Sequence, residues 1–319
     1  MTELYYNQQV LQLVEDESVL DCLLRNNVDY PNACRSGVCQ ACLIKTSDQP
    51  IESKWQEGLP DTLKSQGYFL ACQAKPTSSL TLKAPDAAEC EQQVMITKLT
   101  HINHNVIRIK LLAENLENWI PGQYLNLMNS EGVSRSYSIA NIPVKEGFIE
   151  LHIKLKDDGA MSQWLQKIAT VDTKVHIRGP FGKCYYINPD HASFDMLLVG
   201  TGTGLAPLLA IAKTALSEQH QGKITLIHGG CQDNDIYFDE ELKTLASFYD
   251  NFEYVPCVLK SNGLYPEANI FDETFRYLND NIQNIQVYIC GPKETTNKIK
   301  TKVFLSGVPS AKIFSDAFL

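Results

Sequence analysis

The spacing of hydrophobic positions changes twice along the chain, and each change marks a different kind of structure. Near the start, Val19, Leu20, Leu23 and Leu24 form one apolar stripe behind Ser18 and Asp21, the pattern of a capped helix ending near Asn26 and Asn27. CLIKT and SLTLK read as strands around it. From Gln92 to about Pro189 the period is two, with Val106, Ile107, Ile109 and Leu111 in NVIRIKLL and Ile149, Leu151 and Ile153 in GFIELHIK. Turn residues such as Pro121 and Gly122 punctuate these runs, which predicts an antiparallel barrel. After Asp195 short apolar runs alternate with helices: DMLLV, a helix from about Leu205, KITLIHG, a helix near Glu240, FEYVPCVL, a helix near Phe271, QVYIC, a last helix and AKIF. That order predicts a parallel α/β sheet with a ligand crevice at the carboxyl ends of its strands.

Three patterns over 319 residues predict a multidomain chain with α+β, all-β and α/β parts, divided at 1–88, 89–190 and 191–319. Pro85, Asp86, Ala87 and Ala88 make the first linker. A net charge of -9 argues against a general nucleic-acid binder, which needs a basic surface. The N-terminus has neither the positive start nor the apolar run of a secretory signal, so a cytoplasmic protein is expected. Met196 to Ala212 is the longest uncharged stretch, but at 17 residues, broken by Gly200, Gly202, Gly204 and Pro207, it is too short for a membrane span. Ten cysteines in such a compartment point to metal or redox chemistry rather than disulfides.

Cys34, Cys39, Cys42 and Cys72 follow the order C-x4-C-x2-C and, after 29 further residues, C, the spacing of plant-type [2Fe-2S] ligation. Two irons and two sulfides need four convergent thiolates, and the loop CRSGVCQAC supplies three. Gly37 suits a turn that curls close to sulfide and uses positive φ, and Arg35 stands where a cation offsets the cluster's charge. One structural zinc would also take four thiolates, but such sites usually pair two C-x2-C units. Cys22, Cys90, Cys184, Cys231 and Cys257 show no ligand spacing and read mostly as buried small apolar residues. Residues 1 to about 85 resemble a plant-type ferredoxin domain of the β-grasp kind.

A flavin needs an aromatic face for its ring, a hydroxyl near N5 and a cation for its pyrophosphate. RSYSIAN offers these on one strand, with Arg135, Ser136, Tyr137, Ser138 and Asn141. Gly159, Met161 and Ser162 then open the helix AMSQWLQKI, whose free N–H groups suit phosphate; simple N-capping is the other use of Ser162. RxYS followed by GxxS, with RGPFG downstream, resembles the FAD domain of the ferredoxin–NADP reductase family. That resemblance implies that His152, Ile153 and Lys154 run along the flavin through backbone groups. His152 reads as a half-buried structural residue rather than a base, since hydride transfer needs none.

In the last part GTGTGLAP follows the first strand. Gly200, Thr201, Gly202, Gly204 and Pro207 bring backbone and a helix start to a pyrophosphate. The loop is not G-x-G-x-x-G but resembles the reductase family's. So does Cys290, Gly291 and Pro292 at the fourth strand end, where the resemblance places the Cys beside the nicotinamide; a buried strand-end thiol is the alternative. The closing SDAFL has the family's acid, spacer and aromatic in Asp316, Ala317 and Phe318. It implies that Phe318 covers the flavin until nicotinamide displaces it, although Phe stands for Tyr, Asp for Glu, and Leu319 follows.

Nearly the whole chain resembles an N-terminally ferredoxin-fused reductase of the bacterial oxygenase type. The resemblance implies an oxidoreductase with a [2Fe-2S] cluster, FAD and a nicotinamide nucleotide, passing electrons to a partner protein. Ser138, Cys290, Asp316 and Phe318 would line the hydride path. An oxygenase or hydroxylase is the expected partner, with a sugar-nucleotide deoxygenation enzyme as the second. A redox or iron sensor without turnover is a different class, which would not need that path. HGGCQDNDIYF, from His228 to Phe238, contains no Arg or Lys for a 2′-phosphate, and Asp233 and Asp235 would repel one, so NADH is expected over NADPH unless a cation such as Lys260 folds over the site.

Overall fold

The computed structural model describes residues 2–32, 34–48, 50–85, 92–188, 193–278 and 282–318. The expected linker residues Asp86 to Ala88, both expected domain boundaries, Cys90 and Leu319 lie outside them. The chain divides into two compact units. One holds Met1–Gln93 with Asn126–Ser136 and His176–Gly179; the other holds Val94–Leu125, Tyr137–Val175 and Pro180–Leu319.

The N-terminal sheet comprises β1 (Glu3–Tyr6), β2 (Gln9–Gln12), β3 (Leu43–Thr46), β4 (Tyr68–Leu70) and β5 (Leu80–Lys83) in the order β2-β1-β5-β3-β4. β1 and β5 are parallel and the other pairs antiparallel. Helix α1 (Val19–Arg25) starts where the Ser18 hydroxyl accepts the Asp21 N–H. It buries Val19, Leu20, Cys22 and Leu23 among Leu4, Phe69 and Leu70, so a mixed sheet grasps one helix. A short helix, α2 (Asp61–Ser65), lies before β4 and was not expected from the pattern.

The second sheet contains β6 (Gln92–His101), β7 (Val106–Leu112), β8 (Tyr124–Met128), β9 (Ser134–Ser138), β10 (Ile149–Lys154) and β11 (Lys174–Phe181), ordered β10-β7-β6-β11-β8-β9. Beyond β9, Ile139 bridges Leu151 antiparallel and the Ala140 N–H donates to the Glu150 carbonyl at 2.9 Å, bringing the first and last strands together as a barrel. Helices α3 (Pro143–Glu146) and α4 (Ala160–Lys167) interrupt the strands.

The third sheet is fully parallel: β12 (Asp195–Thr201), β13 (Ile224–Gln232), β14 (Phe252–Lys260), β15 (Ile285–Pro292) and β16 (Ile313–Phe318), ordered β14-β13-β12-β15-β16. Helices α5 (Leu205–Ser217), α6 (Asp239–Phe248), α7 (Ile270–Tyr277) and α8 (Lys293–Leu305) connect them. The order reverses at β12, so the crevice that parallel sheets offer ligands opens between β12 and β15. Among the described residues no helix is long and apolar enough to cross a membrane.

Candidate redox site

In the first unit the ligand loop presents backbone N–H groups to sulfur. Cys34 Sγ accepts from Cys39 N at 3.2 Å and Ser36 N at 3.4 Å, Cys39 Sγ accepts from Cys34 N at 3.3 Å, and Cys42 Sγ accepts from Cys72 N at 3.4 Å. Gln73 Nε2 donates to Cys72 Sγ at 3.3 Å. The thiols are paired, Cys34 with Cys39 and Cys42 with Cys72. Hydrogen bonding from its partner lowers the Cys34 and Cys72 thiols below the usual range, while the same bonds and burial push Cys39 and Cys42 up. Among the described residues no three metal-ligating side chains surround one point. Two pairs fit a cluster in which each of two irons takes two thiolates.

Gly37 has φ +81°, and a Cβ there would meet Gln73 Cγ at 3.0 Å. Arg35 and Gln40 also take positive φ, which the sequence pattern did not reveal. Arg35 pairs with Asp21 at 3.7 Å, so its charge is shared with a carboxylate. Of the other cysteines, Cys22, Cys184 and Cys257 are buried as expected, but Cys231 is exposed.

On β9, Arg135 is exposed with Nη1 on the Ser134 carbonyl at 2.7 Å, Ser136 and Tyr137 are half-buried, and Ser138 is buried. Asn141 donates to the Phe148 carbonyl and accepts the Glu150 N–H, both at 2.9 Å, which commits its side chain to closing the barrel. Ser162 accepts the Lys156 N–H at 2.9 Å instead of capping its helix. The N-cap is Gly159, without a side-chain bond, and Met161 packs inward. The first amides of α4 are therefore not satisfied by a capping side chain, as an incoming phosphate requires. Of His152, Ile153 and Lys154 on β10, only Lys154 is exposed. His152 is fully rather than half buried, between Glu150 Oε1 at 3.0 Å and the Tyr237 hydroxyl at 3.2 Å, and burial lowers its pKa and keeps it neutral.

The nicotinamide motifs meet at the switch point. Gly200 is in register with Cys290, and Cys290 with Asp316. A Cβ on Gly204 would stand 2.1 Å from the Cys290 carbonyl, and one on Gly291 would stand 2.8 Å from Thr201 Oγ1. Close backbone approach is what the glycines supply here. Gly202 has φ +54° with open space at its missing Cβ, and Pro207 is buried in the first turn of α5, which has no side-chain cap. A dinucleotide fits this cradle of bare backbone and uncapped helix start. Burial puts the His228 imidazole, in register with Gly200, down at about 4.

Residues up to Phe318 form edge strand β16, with Phe318 opposite Pro292. This brings Ser138 Oγ to Asp316 Oδ2 at 3.3 Å, and burial raises that carboxyl to about 6. Cys290 Sγ lies 3.7 Å from Cys184 Sγ, and burial raises its thiol well above the usual range. Cys184 had no spacing signal. Asp235 accepts the N–H groups of Cys231 and Gln232, and Asp233 accepts that of Asn262. Lys260 stands opposite Gln232 in the ladder, nearer the loop than its place in the sequence implied.

Three family models match in chain order: a 2Fe-2S iron-sulfur cluster binding domain over 5–77, an oxidoreductase FAD-binding domain over 93–186 and an oxidoreductase NAD-binding domain over 198–301. Fold and site thus define an iron–sulfur flavoprotein oxidoreductase. The ferredoxin–NAD(P)(+) reductase component of the naphthalene 1,2-dioxygenase/salicylate 5-hydroxylase systems of Ralstonia is 30% identical over 315 residues, 94% of this chain and 93% of its own. The toluate 1,2-dioxygenase electron transfer component of Pseudomonas putida is 26% identical over 95% of this chain and 92% of its own. A solved ferredoxin reductase in carbazole 1,9a-dioxygenase shares the fold, with TM-score 0.68 at 24% identity over 100% of this chain and 98% of its own. The chain belongs to the family of ferredoxin–NAD(P)+ reductases with an N-terminal [2Fe-2S] domain, and is an electron-transfer enzyme.

Proposed function

We propose that this protein takes electrons from NADH and delivers them singly to the oxygenase or hydroxylase component of a multicomponent system in the cytoplasm. The observation that carries the reading is the meeting of Ser138, Asp316 and Cys290 across β9, β15 and β16, beside the glycine cradle. A sensor without turnover has no use for such a site. Relatives named for dioxygenase and monooxygenase systems support the choice of partner.

When bound, the flavin supplies the exchange between a hydride pair and single electrons, which is cofactor chemistry. The protein supplies position. Arg135 offers a cation to the flavin pyrophosphate, the α4 start its amides, and Tyr137 a ring face. Ser138 and Asp316 hold a proton between them at the hydride path, and Phe318 covers it from β16. Gly200 to Gly204 seat the nucleotide, and Cys290 with Gly291 and Pro292 borders the nicotinamide. Domain limits at 1–88, 89–190 and 191–319 suit these roles. NADH is favoured because the β13 loop has no cation of its own and two carboxylates, whose field disfavours a further phosphate. Lys260 works against this, so specificity constants for the two nucleotides decide it, and a clear advantage for NADPH overturns it.

The test is oxidation of NADH with ferricyanide and cytochrome c as acceptors, followed by reconstitution with an oxygenase component. Sustained turnover is expected. Absence of NADH and NADPH oxidation by cofactor-loaded protein would refute the enzyme reading.

A further inference from the structure

The backbone of the second cluster ligand, Cys39, and of the residue after it is held by side chains from outside residues 5–77, the span that matches the 2Fe-2S cluster binding domain. Asn126 on β8, buried at 2% exposure, donates from Nδ2 to the Cys39 carbonyl at 3.2 Å. Its Oδ1 accepts the Ser136 hydroxyl of β9 at 2.7 Å. Arg178 on β11 donates from Nη2 to the carbonyl of the next residue, Gln40. Gln40 has φ +54°, a conformation a side-chain-bearing residue keeps only when its surroundings hold it, and its own amide is anchored on the Gly58 carbonyl at 2.9 Å. All these residues belong to the first unit.

One amide thus links the RSYS strand to the backbone of a cluster ligand, Cys39, and one guanidinium from RGPFG holds the backbone of the residue that follows it, Gln40. We propose that Asn126 and Arg178 are positioning residues for electron transfer from flavin to cluster. They act through the Cys39–Gln40 backbone and touch no reacting atom. The inference rests on the function proposed above. Each step moves one electron from reduced flavin to oxidised cluster; two such steps, with the cluster reoxidised by its acceptor in between, account for one hydride. No protein bond forms or breaks, and the flavin's protons pass to water. Because both groups bind carbonyl oxygens rather than sulfur, they govern where the cluster sits more than its potential. A merely structural Asn126 would affect folding but not the rate of this one step.

The test compares cofactor-loaded wild type, Asn126→Ala and Arg178→Lys, the last keeping the charge but losing the planar fork. Anaerobic stopped-flow mixing with NADH separates flavin bleaching from cluster bleaching, and amide hydrogen exchange reports on residues 38–42. Expected for Asn126→Ala are unchanged flavin bleaching, about two irons per chain, faster exchange at Gln40 and Ala41, and cluster reduction slowed several-fold, since electron tunnelling decays exponentially with the separation of the cofactors. Arg178→Lys should follow more weakly and decides alone if Asn126→Ala does not fold. Wild-type exchange and cluster reduction in the variants, or a midpoint potential shifted enough to explain the whole rate change, would overturn the inference. If wild-type cluster is itself not reduced by NADH, the proposed function fails instead.

Discussion

Replacing Gly204 by Ala sets two effects of opposite sign against each other. The residue lies at φ -58° and ψ -20°, where any L-residue is at ease, and Ala is favoured over Gly in a helix interior by about 1 kcal/mol. At an N-cap even that gain shrinks. Against it, the new Cβ would stand 2.1 Å from the Cys290 carbonyl oxygen and 2.7 Å from its carbon, so one backbone must retreat by more than 1 Å before ordinary contact is restored. Overpacking of this kind costs about 1–3 kcal/mol, toward the upper end when both partners are backbone. Sterics win, with a net loss of about 1–2 kcal/mol. Urea unfolding followed by the fluorescence of bound flavin measures it. The displaced segment carries Cys290, so turnover with NADH and ferricyanide should fall about tenfold to a hundredfold, while chemical reduction of the flavin by dithionite stays normal. A variant as stable and active as wild type would refute the claim that this loop and the CGP strand end touch as closely as described.

Cys72→Ser removes the partner of Cys42; iron and acid-labile sulfide should drop while NADH–ferricyanide activity persists, and one equivalent of zinc without sulfide in wild type would end the cluster assignment. Arg135→Ala should loosen FAD about tenfold to a hundredfold, the worth of a charge-assisted contact of about 1.5–3 kcal/mol, read as flavin lost on gel filtration; full retention would place the pyrophosphate elsewhere. Burial raises Asp316 from 3.8 to about 6, so the folded chain binds more protons in that window and its stability falls as pH rises through it. Asp316→Asn should therefore stabilise the protein by about 1–3 kcal/mol at pH 7.5 and little at pH 4, and an equal effect at both, measured by urea midpoints, would contradict the shift.

Cluster ligation was legible because three ligands lie within nine residues, where spacing is itself geometry, and Cys72 completed a known interval. The barrel and the parallel sheet were legible because period two and alternating strand and helix report which faces are buried. Periodicity says that a side chain is buried, not what it meets. Cys184 was an isolated thiol until β15 came within 3.7 Å of it, and Asn126, an uncharged residue in an apolar strand, gave no sign that it reaches Cys39, 87 positions away. A sequence likewise cannot show that Asp235 accepts N–H groups of its own loop and Asp233 that of Asn262, beyond the next strand. The pairing of Ser315 to Phe318 with β15 was not legible, because a long-range ladder has no local signature. Such contacts depend on how distant segments are brought together on closing the sheets, and only the packed chain decides them.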